Sequence, residues 1–175
     1  MKVKVGVMGS ASEPSDQLRA RGQELGLAVA ANDVILLSGA TTGVVYIVGK
    51  TAHDAGVFHV GISPACNETE HVARYKLPFD ACSILIYTGF GLKGRNVVLV
   101  RSCDVVLFIG GAMGSLNELT IAHDEGKIIG CLEQTGGVAD EIDYLLKKFS
   151  KESSAQVFRD RNPEKLIFRC LNAIR

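Results

Sequence analysis

An unbroken apolar run that ends in a glycine-rich turn constrains the fold of this chain more than any other stretch. Val105–Ile109 has the length and β-branched content of a buried parallel strand. Gly110–Gly114 then breaks the strand, and Ser115 is a natural N-cap for the helical pattern that follows. The free N–H groups and the dipole at such a helix start attract a phosphate or a carboxylate. The stretch therefore predicts a strand–turn–helix unit with an anion site at the turn.

Glu118 is the residue in this stretch that simple anion binding does not explain. We place it in the first turn of the predicted helix, close enough to act on whatever the turn holds. A carboxylate beside an anion site is typical of a nucleotide site with an acid/base group. The alternative is structural, with glycines that permit close packing and a Glu118 that stabilises the helix dipole. Both interpretations are open on these residues alone.

Strands and helices alternate along the whole chain. Residues 67–80 are the exception, since they are polar, contain Pro78 and predict a loop with at most one helical turn. Such alternation predicts an α/β protein, a doubly wound sandwich whose mostly parallel sheet of six or seven strands is flanked by helices. We expect one domain over residues 1–175. The predicted strands are 3–8, 33–38, 57–62, 83–87, 105–109, 127–132 and 155–158.

Composition excludes several function classes. The formal net charge is zero, which argues against nucleic acid or a membrane surface as a partner. The five cysteines are scattered without CxxC spacing, as in a reducing compartment, and the four histidines lack metal-ligand spacing, so we expect no metal. The start resembles a strand rather than a signal peptide, and no apolar run approaches the ~20 residues of a membrane span. We expect a cytoplasmic protein.

Four glycine-rich turns follow predicted strands: Gly9–Ser12, Gly39–Gly43, Gly89–Gly94 and Gly110–Ser115. Ligands of open α/β sheets bind beyond the carboxyl ends of the strands, so these turns predict a phosphorylated ligand. The third turn matches GxGxxG but lacks the acidic residue that a dinucleotide site needs, and no GxxxxGK[ST] pattern exists. The predicted ligand contacts are Gly9, Ser10, Gly39, Thr41, Thr42, Gly43, Gly91, Gly110, Gly111, Ala112, Met113, Gly114 and Ser115.

Arg95 is the second candidate for chemistry. We place it at the start of a helix that follows a glycine turn, where its guanidinium could reach the same edge as Glu118. A planar donor that is always charged suits a phosphate or a developing negative charge. A solvated arginine at a helix start explains the spacing equally well.

Three segments resemble one family. GGAMGSLNE resembles the PGGxGTxxE signature of LOG-type proteins, often labelled "possible lysine decarboxylase" and part of the wider SLOG group. GLKGRNVVLVRSCD resembles the arginine-bearing segment before that signature, and LLSGATTGVVYIVGKTAHDAG is similar to the turn and helix after the second strand. The resemblance covers residues 2–146 and is greatest to the short branch that includes molybdenum-cofactor carrier proteins.

The resemblance implies a Rossmann-like fold, a homodimer or higher homo-oligomer, and a nucleotide or phosphorylated pterin as ligand. LOG enzymes hydrolyse nucleoside 5′-monophosphates to base and ribose 5-phosphate. Arg95 and Glu118 match their paired catalytic positions, and Gly111, Gly114 and Ser115 match their phosphate turn. No lysine for pyridoxal phosphate is recognisable, so we do not expect lysine decarboxylation.

The departures from the signature keep two functions open. Gly110 replaces the family's proline, Ala112 its second glycine and Ser115 its threonine, and Asn96 stands where LOG enzymes have a basic residue. The chain is therefore a phosphoribohydrolase, or a carrier that binds molybdenum cofactor or a related anion without turnover; neither function requires a cofactor. A nucleotide-sensing or structural dimer is a third reading.

The helix predicted over residues 44–55 favours a homodimer. It carries Val44, Val45, Ile47 and Val48, more apolar surface than one face of a sheet should need. A large exposed apolar patch requires a partner, and two-fold dimers are the commonest oligomers.

Overall fold

The structure, a computed structural model, describes residues 1–149 and 151–174. The strands are β1 Val3–Gly9, β2 Val34–Ser38, β3 Phe58–Ser63, β4 Ile84–Tyr87, β5 Val105–Ile109, β6 Ile128–Leu132 and β7 Gln156–Asp160. The α-helices are α1 Asp16–Ala30, α2 Gly43–Asp54, α3 Gly91–Ser102, α4 Met113–Asp124, α5 Gly137–Lys148 and α6 Pro163–Asn172. One turn of π-helix, Glu70–Arg74, interrupts the segment that we predicted as a loop.

The seven strands form one parallel sheet in the order β4-β3-β2-β1-β5-β6-β7. The predicted doubly wound, Rossmann-like α/β fold is thereby confirmed. The strand order reverses between β1 and β5, because the chain adds β2 to β4 on one side of β1 and β5 to β7 on the other. Such a reversal opens a crevice between the loops that leave the two central strands.

Each face of the sheet has its own apolar core. Val105, Leu107 and Ile109 of β5 point into the core beneath α1, α2 and α6, while Val106 and Phe108 point into the core beneath α3, α4 and α5. All five are buried. A strand covered on both faces needs apolar residues at every position, which explains the unbroken run that defined it in the sequence.

The apolar face of α2 is covered within the chain, so our prediction of an exposed patch there is wrong. Val44, Val45, Ile47 and Val48 are all at most 8% exposed. Val44 and Ile47 pack against α1 at Gly22, where an added Cβ would lie only 3.1 Å from Val44 Cγ2 and 3.2 Å from Ile47 Cγ2. Because the glycine lets the two helices approach so closely, α1 covers the surface that we assigned to a second copy.

Two buried histidine–serine pairs, which we call the histidine junctions, lie at the carboxyl ends of β2 and β3. His59 Nδ1 contacts the Ala81 carbonyl, which can only accept, so Nδ1 carries the proton. Its Nε2 therefore accepts from Ser38 Oγ at 2.8 Å. Burial lowers the pKa of His59 to about 4, which fits this neutral ring.

The second junction repeats this arrangement one strand further along. His71 Nε2 donates to the Pro78 carbonyl at 3.1 Å, and Nδ1 accepts from Ser63 Oγ at 2.8 Å. Both serine hydroxyls also accept a backbone N–H two residues ahead, from Ala40 at 3.2 Å and Ala65 at 3.1 Å. Each junction thus satisfies its buried polar groups and fixes the turn that leaves its strand.

No helix in residues 1–149 and 151–174 combines the length and the apolar character needed to cross a bilayer.

Candidate functional site

A cleft of about 330 Å³ opens at the carboxyl edge of the sheet, between the loops that leave β1 and β5. This is the point at which the strand order reverses, and the volume suits a small molecule. The loop after β1 forms one wall, and the first turns of α3 and α4 form the other. The lining residues are Gly9, Ser10, Ala11, Ser12, Thr41, Leu92, Lys93, Arg95, Asn96, Ala112, Met113, Gly114, Ser115 and Glu118.

The cleft brings together residues from all four predicted turns. Both candidates for chemistry and most of the last turn lie in it. The predicted residues in its lining are Gly9, Ser10, Thr41, Arg95, Ala112, Met113, Gly114, Ser115 and Glu118. The predicted residues outside it are Gly39, Thr42, Gly43, Gly91, Gly110 and Gly111.

Gly39 supports the site from below. A Cβ at this position would lie 2.1 Å from Arg95 Nη2, so the guanidinium lies directly on the Gly39 backbone. Only a residue without a side chain leaves room for it. Gly39 therefore positions Arg95 rather than lining the cleft.

Thr42 and Gly43 hold the loop that forms the opposite wall. Thr42 Oγ1 donates to the Ala11 carbonyl at 2.8 Å, and the N–H of Val44 donates to the Ser10 carbonyl at 3.2 Å. A Cβ on Gly43 would lie 2.2 Å from that same carbonyl oxygen. The start of α2 is thus bound to the protein's own loop, and both residues line a separate surface cleft of about 560 Å³.

Gly110 and Gly111 shape the turn after β5 and attach it to α5. Their φ values of 58° and 110° lie in the left-handed region that favours glycine. The N–H of Gly110 donates to Thr135 Oγ1 at 2.8 Å. Their carbonyls accept from the first turn of α5, at 2.9 Å for Gly110 and 3.3 Å for Gly111. These groups contact protein, so they aim the start of α4 at the cleft.

Both helices of the site begin earlier than the sequence predicted. α4 starts at Met113, so Ser115 is its third residue rather than its N-cap, and Glu118 lies in the second turn. α3 starts at Gly91, whose N–H donates to the Pro64 carbonyl at 3.0 Å, and Arg95 lies in its second turn. Left-handed glycines and this contact with the loop after β3 accompany the two starts, and α4 lacks the Ser115 cap that we expected.

The first turn of α4 has backbone N–H groups without partners in the described ranges. The N–H groups of Met113, Gly114 and Ser115 donate to no group in the described chain, and no acidic side chain lies in this turn. Ser115 is 1% exposed, and its Oγ is buried without a hydrogen-bond partner in residues 1–149 and 151–174. By contrast, the side chains of Ser15 and Asn162 cap α1 and α6.

Arg95 and Glu118 form a buried ion pair in the cleft. Nη1 of Arg95 donates to Glu118 Oε1 at 3.0 Å, and the two side chains are only 7% and 8% exposed. The same Nη1 donates to Asn96 Oδ1, and Asn96 Nδ2 donates to Asn117 Oδ1 at 2.8 Å. The Nε of Arg95 is buried and has no partner within the described ranges. Nη2 also makes no hydrogen bond in those ranges, so the guanidinium keeps more than one donor without an acceptor.

Burial controls the ionisation of this pair. It raises the pKa of the Glu118 carboxyl, and the opposing attraction of Arg95 and the weaker one of Lys93 do not cancel that effect. Burial also lowers the pKa of Arg95, although Glu118 opposes the change. Because a guanidinium starts from so high a pKa, it keeps its proton at neutral pH. Glu118 is thus the member of the pair that can exchange one.

Lys93 is a lining residue that the sequence analysis missed. It stands two positions before Arg95, which on a helix places it on a different side. Its Nζ nevertheless lies 3.2 Å from where a Cβ of Gly114 would be, beside the start of α4. The segment GLKGRN contained the lysine, but only the packing of α3 beside α4 shows where it points.

Residues 1–149 and 151–174 contain no cluster of three or more His, Cys, Asp or Glu side chains that could hold a metal ion.

The sheet order and the cleft define a Rossmann-like ligand-binding fold with a cleft at its topological switch point. The chain belongs to the SLOG cluster4 family, whose model matches residues 2–167.

Individual relatives extend this assignment. An uncharacterised protein of Archaeoglobus fulgidus is 30% identical over 131 residues, which are 75% of this chain and 80% of the relative. The X-ray structure of TM1055 is similar with a TM-score of 0.82 and 26% identity, over 98% of this chain and 99% of that one. The molybdenum cofactor binding protein of Rippkaea orientalis has a TM-score of 0.78 and 27% identity, over 100% of this chain and 99% of its own.

Proposed function

We propose that this chain binds a small phosphorylated ligand in the cleft and carries it without turnover, with molybdenum cofactor or a related phosphorylated pterin as the leading candidate. One observation carries the proposal: Ser115 Oγ and Arg95 Nε are buried beside the same cleft, and neither has a partner in the described ranges. An unpaired buried donor costs about 1–3 kcal/mol, so a site with two is favoured when a ligand supplies the acceptors. The cofactor-binding neighbour from Rippkaea orientalis supports the choice of ligand.

The arrangement of the walls fits a ligand with one anionic end. The free N–H groups of Met113 to Ser115 and the Ser115 hydroxyl would hold a phosphate at the start of α4. The hydroxyls of Ser10, Ser12 and Thr41 line the opposite wall and suit the polar edges of a pterin or the hydroxyls of a ribose.

Direct titration tests the proposal. We would measure binding of molybdopterin released from a molybdoenzyme, 5′-AMP, 5′-GMP and ribose 5-phosphate by calorimetry, with Ser115→Ala as the site variant and Ser153→Ala as an exposed control. We expect at least one phosphorylated compound to bind the wild type and the control alike, and to bind Ser115→Ala less tightly. Absence of binding for all four compounds would contradict the proposal.

Hydrolysis of a nucleoside 5′-monophosphate is the second candidate, and the Arg95–Glu118 pair favours it. Water would add to C1′ of the ribose while the N-glycosidic bond breaks, and the base would leave with the bonding electrons and take up a proton. A carboxylate beside C1′ stabilises the developing oxocarbenium charge and orients the water. Glu118 lines the cleft, where its ionised form would fill this role. Release of free base by the wild-type protein is the measurement that distinguishes an enzyme from a carrier.

A two-fold homodimer is a further proposal, which now rests on the family resemblance rather than on α2. Exposed apolar side chains that a second copy could cover lie on α3 and α4 beside the cleft: Phe90, Leu92, Val97 and Met113. Sedimentation at micromolar concentration tests it, and a clean monomer would contradict it.

A further inference from the structure

Lys93 is an exposed residue that lines the cleft and adds positive charge to it. Its ammonium group lies beside the first turn of α4, 3.2 Å from the position of a Cβ on Gly114. That turn is the positive end of the helix dipole, and it carries no acidic side chain. Two centres of like sign therefore face each other at one corner of the cleft.

No carboxylate in the described part of the chain neutralises this ammonium. Glu118 is already bound by Arg95, and Lys93 takes part in none of the ion pairs found in residues 1–149 and 151–174. Lys4 and Lys50, by contrast, pair with Asp104 and Asp54. Lys93 is close enough to Glu118 to oppose, weakly, the rise that burial causes in the pKa of that carboxyl.

Gly114 makes this position available to Lys93. At 3.2 Å, a Cβ on residue 114 would be in tighter contact with the ammonium than ordinary packing allows. Glycine thus lets the lysine and the N–H groups of α4 approach the same point from two sides.

We propose that Lys93 makes the site selective for a terminal phosphomonoester, over phosphodiesters and carboxylates. The inference rests on the proposed function, because it specifies the charge of the group bound at the start of α4. Arg95 and Glu118 cancel each other's charge, which leaves the ammonium and about half a unit from the helix end in excess. A phosphomonoester carries about 1.5 to 2 negative charges near neutral pH, which matches that excess; a diester or carboxylate carries one.

Two small probes of nearly equal size test the selectivity without knowledge of the natural ligand. Binding of methyl phosphate, a monoester, and dimethyl phosphate, a diester, would be followed by ³¹P NMR titration at about pH 8, where the monoester is a dianion. We expect the wild type to bind methyl phosphate at least about tenfold more tightly, and Lys93→Met to lose that preference, as expected for one charge-assisted hydrogen bond.

The variants are chosen to separate charge from structure. Lys93→Arg keeps the charge and should keep the preference for the monoester. Lys147→Met, at the exposed end of α5, makes the same change in net charge and should leave both affinities unchanged. Equal melting temperatures of the two methionine variants would show that Lys93→Met is folded.

The possible failures differ from one another. If Lys93→Met keeps the wild-type preference, the role of Lys93 is wrong and the proposed function stands. If the wild type binds neither probe, the anion site at the start of α4 is wrong, and the proposed function fails with it. If the wild type binds both probes equally, the site takes anions without selecting the dianion, and the inference is overturned.

Discussion

The histidine junctions and the cleft are both buried polar clusters at the carboxyl edge of one sheet, yet they differ in how completely they are bonded. In the first junction His59, Ser38, Ala40 and Ala81 satisfy one another. In the cleft, Arg95 and Glu118 are equally well buried, but the Nε of Arg95 and the hydroxyl of Ser115 find no partner in the described ranges.

This difference separates buried polar groups that stabilise the fold from buried polar groups that are available to a ligand. A closed cluster stabilises the fold, and removal of any member leaves the others unpaired. An open cluster already bears that cost, so its members can be changed with less loss of stability and more loss of binding. Each prediction below tests this contrast.

Removal of the central ring of the first junction should produce the largest effect. His59→Ala leaves a cavity beneath α2 and removes the partners of Ser38 and Ala81, so we expect a loss of about 3–5 kcal/mol in the free energy of unfolding. Urea unfolding measures it. His53→Ala, on the outer part of α2, should cost less than about 1 kcal/mol. Equal losses in the two variants would show that the junction does not stabilise the fold.

Acid should destabilise the protein through the same ring. The folded pKa of His59 is about 4 against an ordinary 6.5, so between these values the unfolded chain binds a proton that the folded chain excludes. The stability that neutral His59 provides is complete above pH 6.5 and falls as the pH drops toward 4, by about 3 kcal/mol at 1.36 kcal/mol per unit.

Urea unfolding between pH 4 and pH 8 measures this dependence, with His59→Leu as the variant that should lack it. Glu118 contributes in the opposite direction, because a raised carboxyl pKa stabilises the folded state most when the group is protonated and loses that contribution as the pH rises. Glu118→Gln should therefore make the loss of stability in acid steeper. A wild-type curve parallel to that of His59→Leu would contradict the assignment.

Glu118→Gln should lower hydrolysis by about 100-fold or more if the carboxylate takes part in N-glycoside cleavage, equivalent to about 2.7 kcal/mol. Ligand affinity should change little, because the start of α4 holds the phosphate. Glu125→Gln, at the C-cap of the same helix and in an exposed pair with Arg101, is the matched control. Free base is the measured product. Undiminished hydrolysis in Glu118→Gln would refute the catalytic role, and absence of wild-type turnover would favour the carrier.

The smallest effect, and the sharpest contrast, comes from two serines. Ser115→Ala removes a buried hydroxyl that has no partner in the described ranges, so the free energy of unfolding should stay equal or rise by up to about 1 kcal/mol, while affinity for methyl phosphate falls about three- to tenfold. Ser38→Ala removes a bonded hydroxyl and should do the reverse, with stability lost and affinity kept. If both variants behave alike, the distinction between closed and open clusters fails.

Much of the fold could be predicted because period and composition record burial directly. The run over Val105–Ile109 predicted a strand with both faces covered, and the alternation of strands and helices predicted the parallel sheet. The same reasoning failed for α2, because its apolar residues could be covered by a second copy or by α1. The apolar residues of α2 are covered by α1 because Gly22 of α1 lets the two helices approach closely.

The site was harder to predict, since its geometry depends on contacts between distant segments. The sequence identified Arg95 and Glu118 as a pair, but not that both are buried, nor that Gly39 lies beneath the guanidinium. It also placed both helix starts too late. A contact with Pro64 begins α3, and left-handed glycines precede α4. The sequence did not indicate Lys93, because its proximity to Gly114 depends on how α3 packs beside α4.

The bond between the start of α2 and the Ser10 carbonyl has a consequence for how a ligand can enter. Because the Val44 N–H at the start of α2 donates to the protein's own loop, the helix starts that face the cleft are those of α3 and α4. The electrostatic potential in the cleft is therefore most positive beside Lys93 and the start of α4, and it falls toward the hydroxyls of the opposite wall. A ligand with a single anionic end would therefore favour one of its two head-to-tail orientations, with that end at the start of α4.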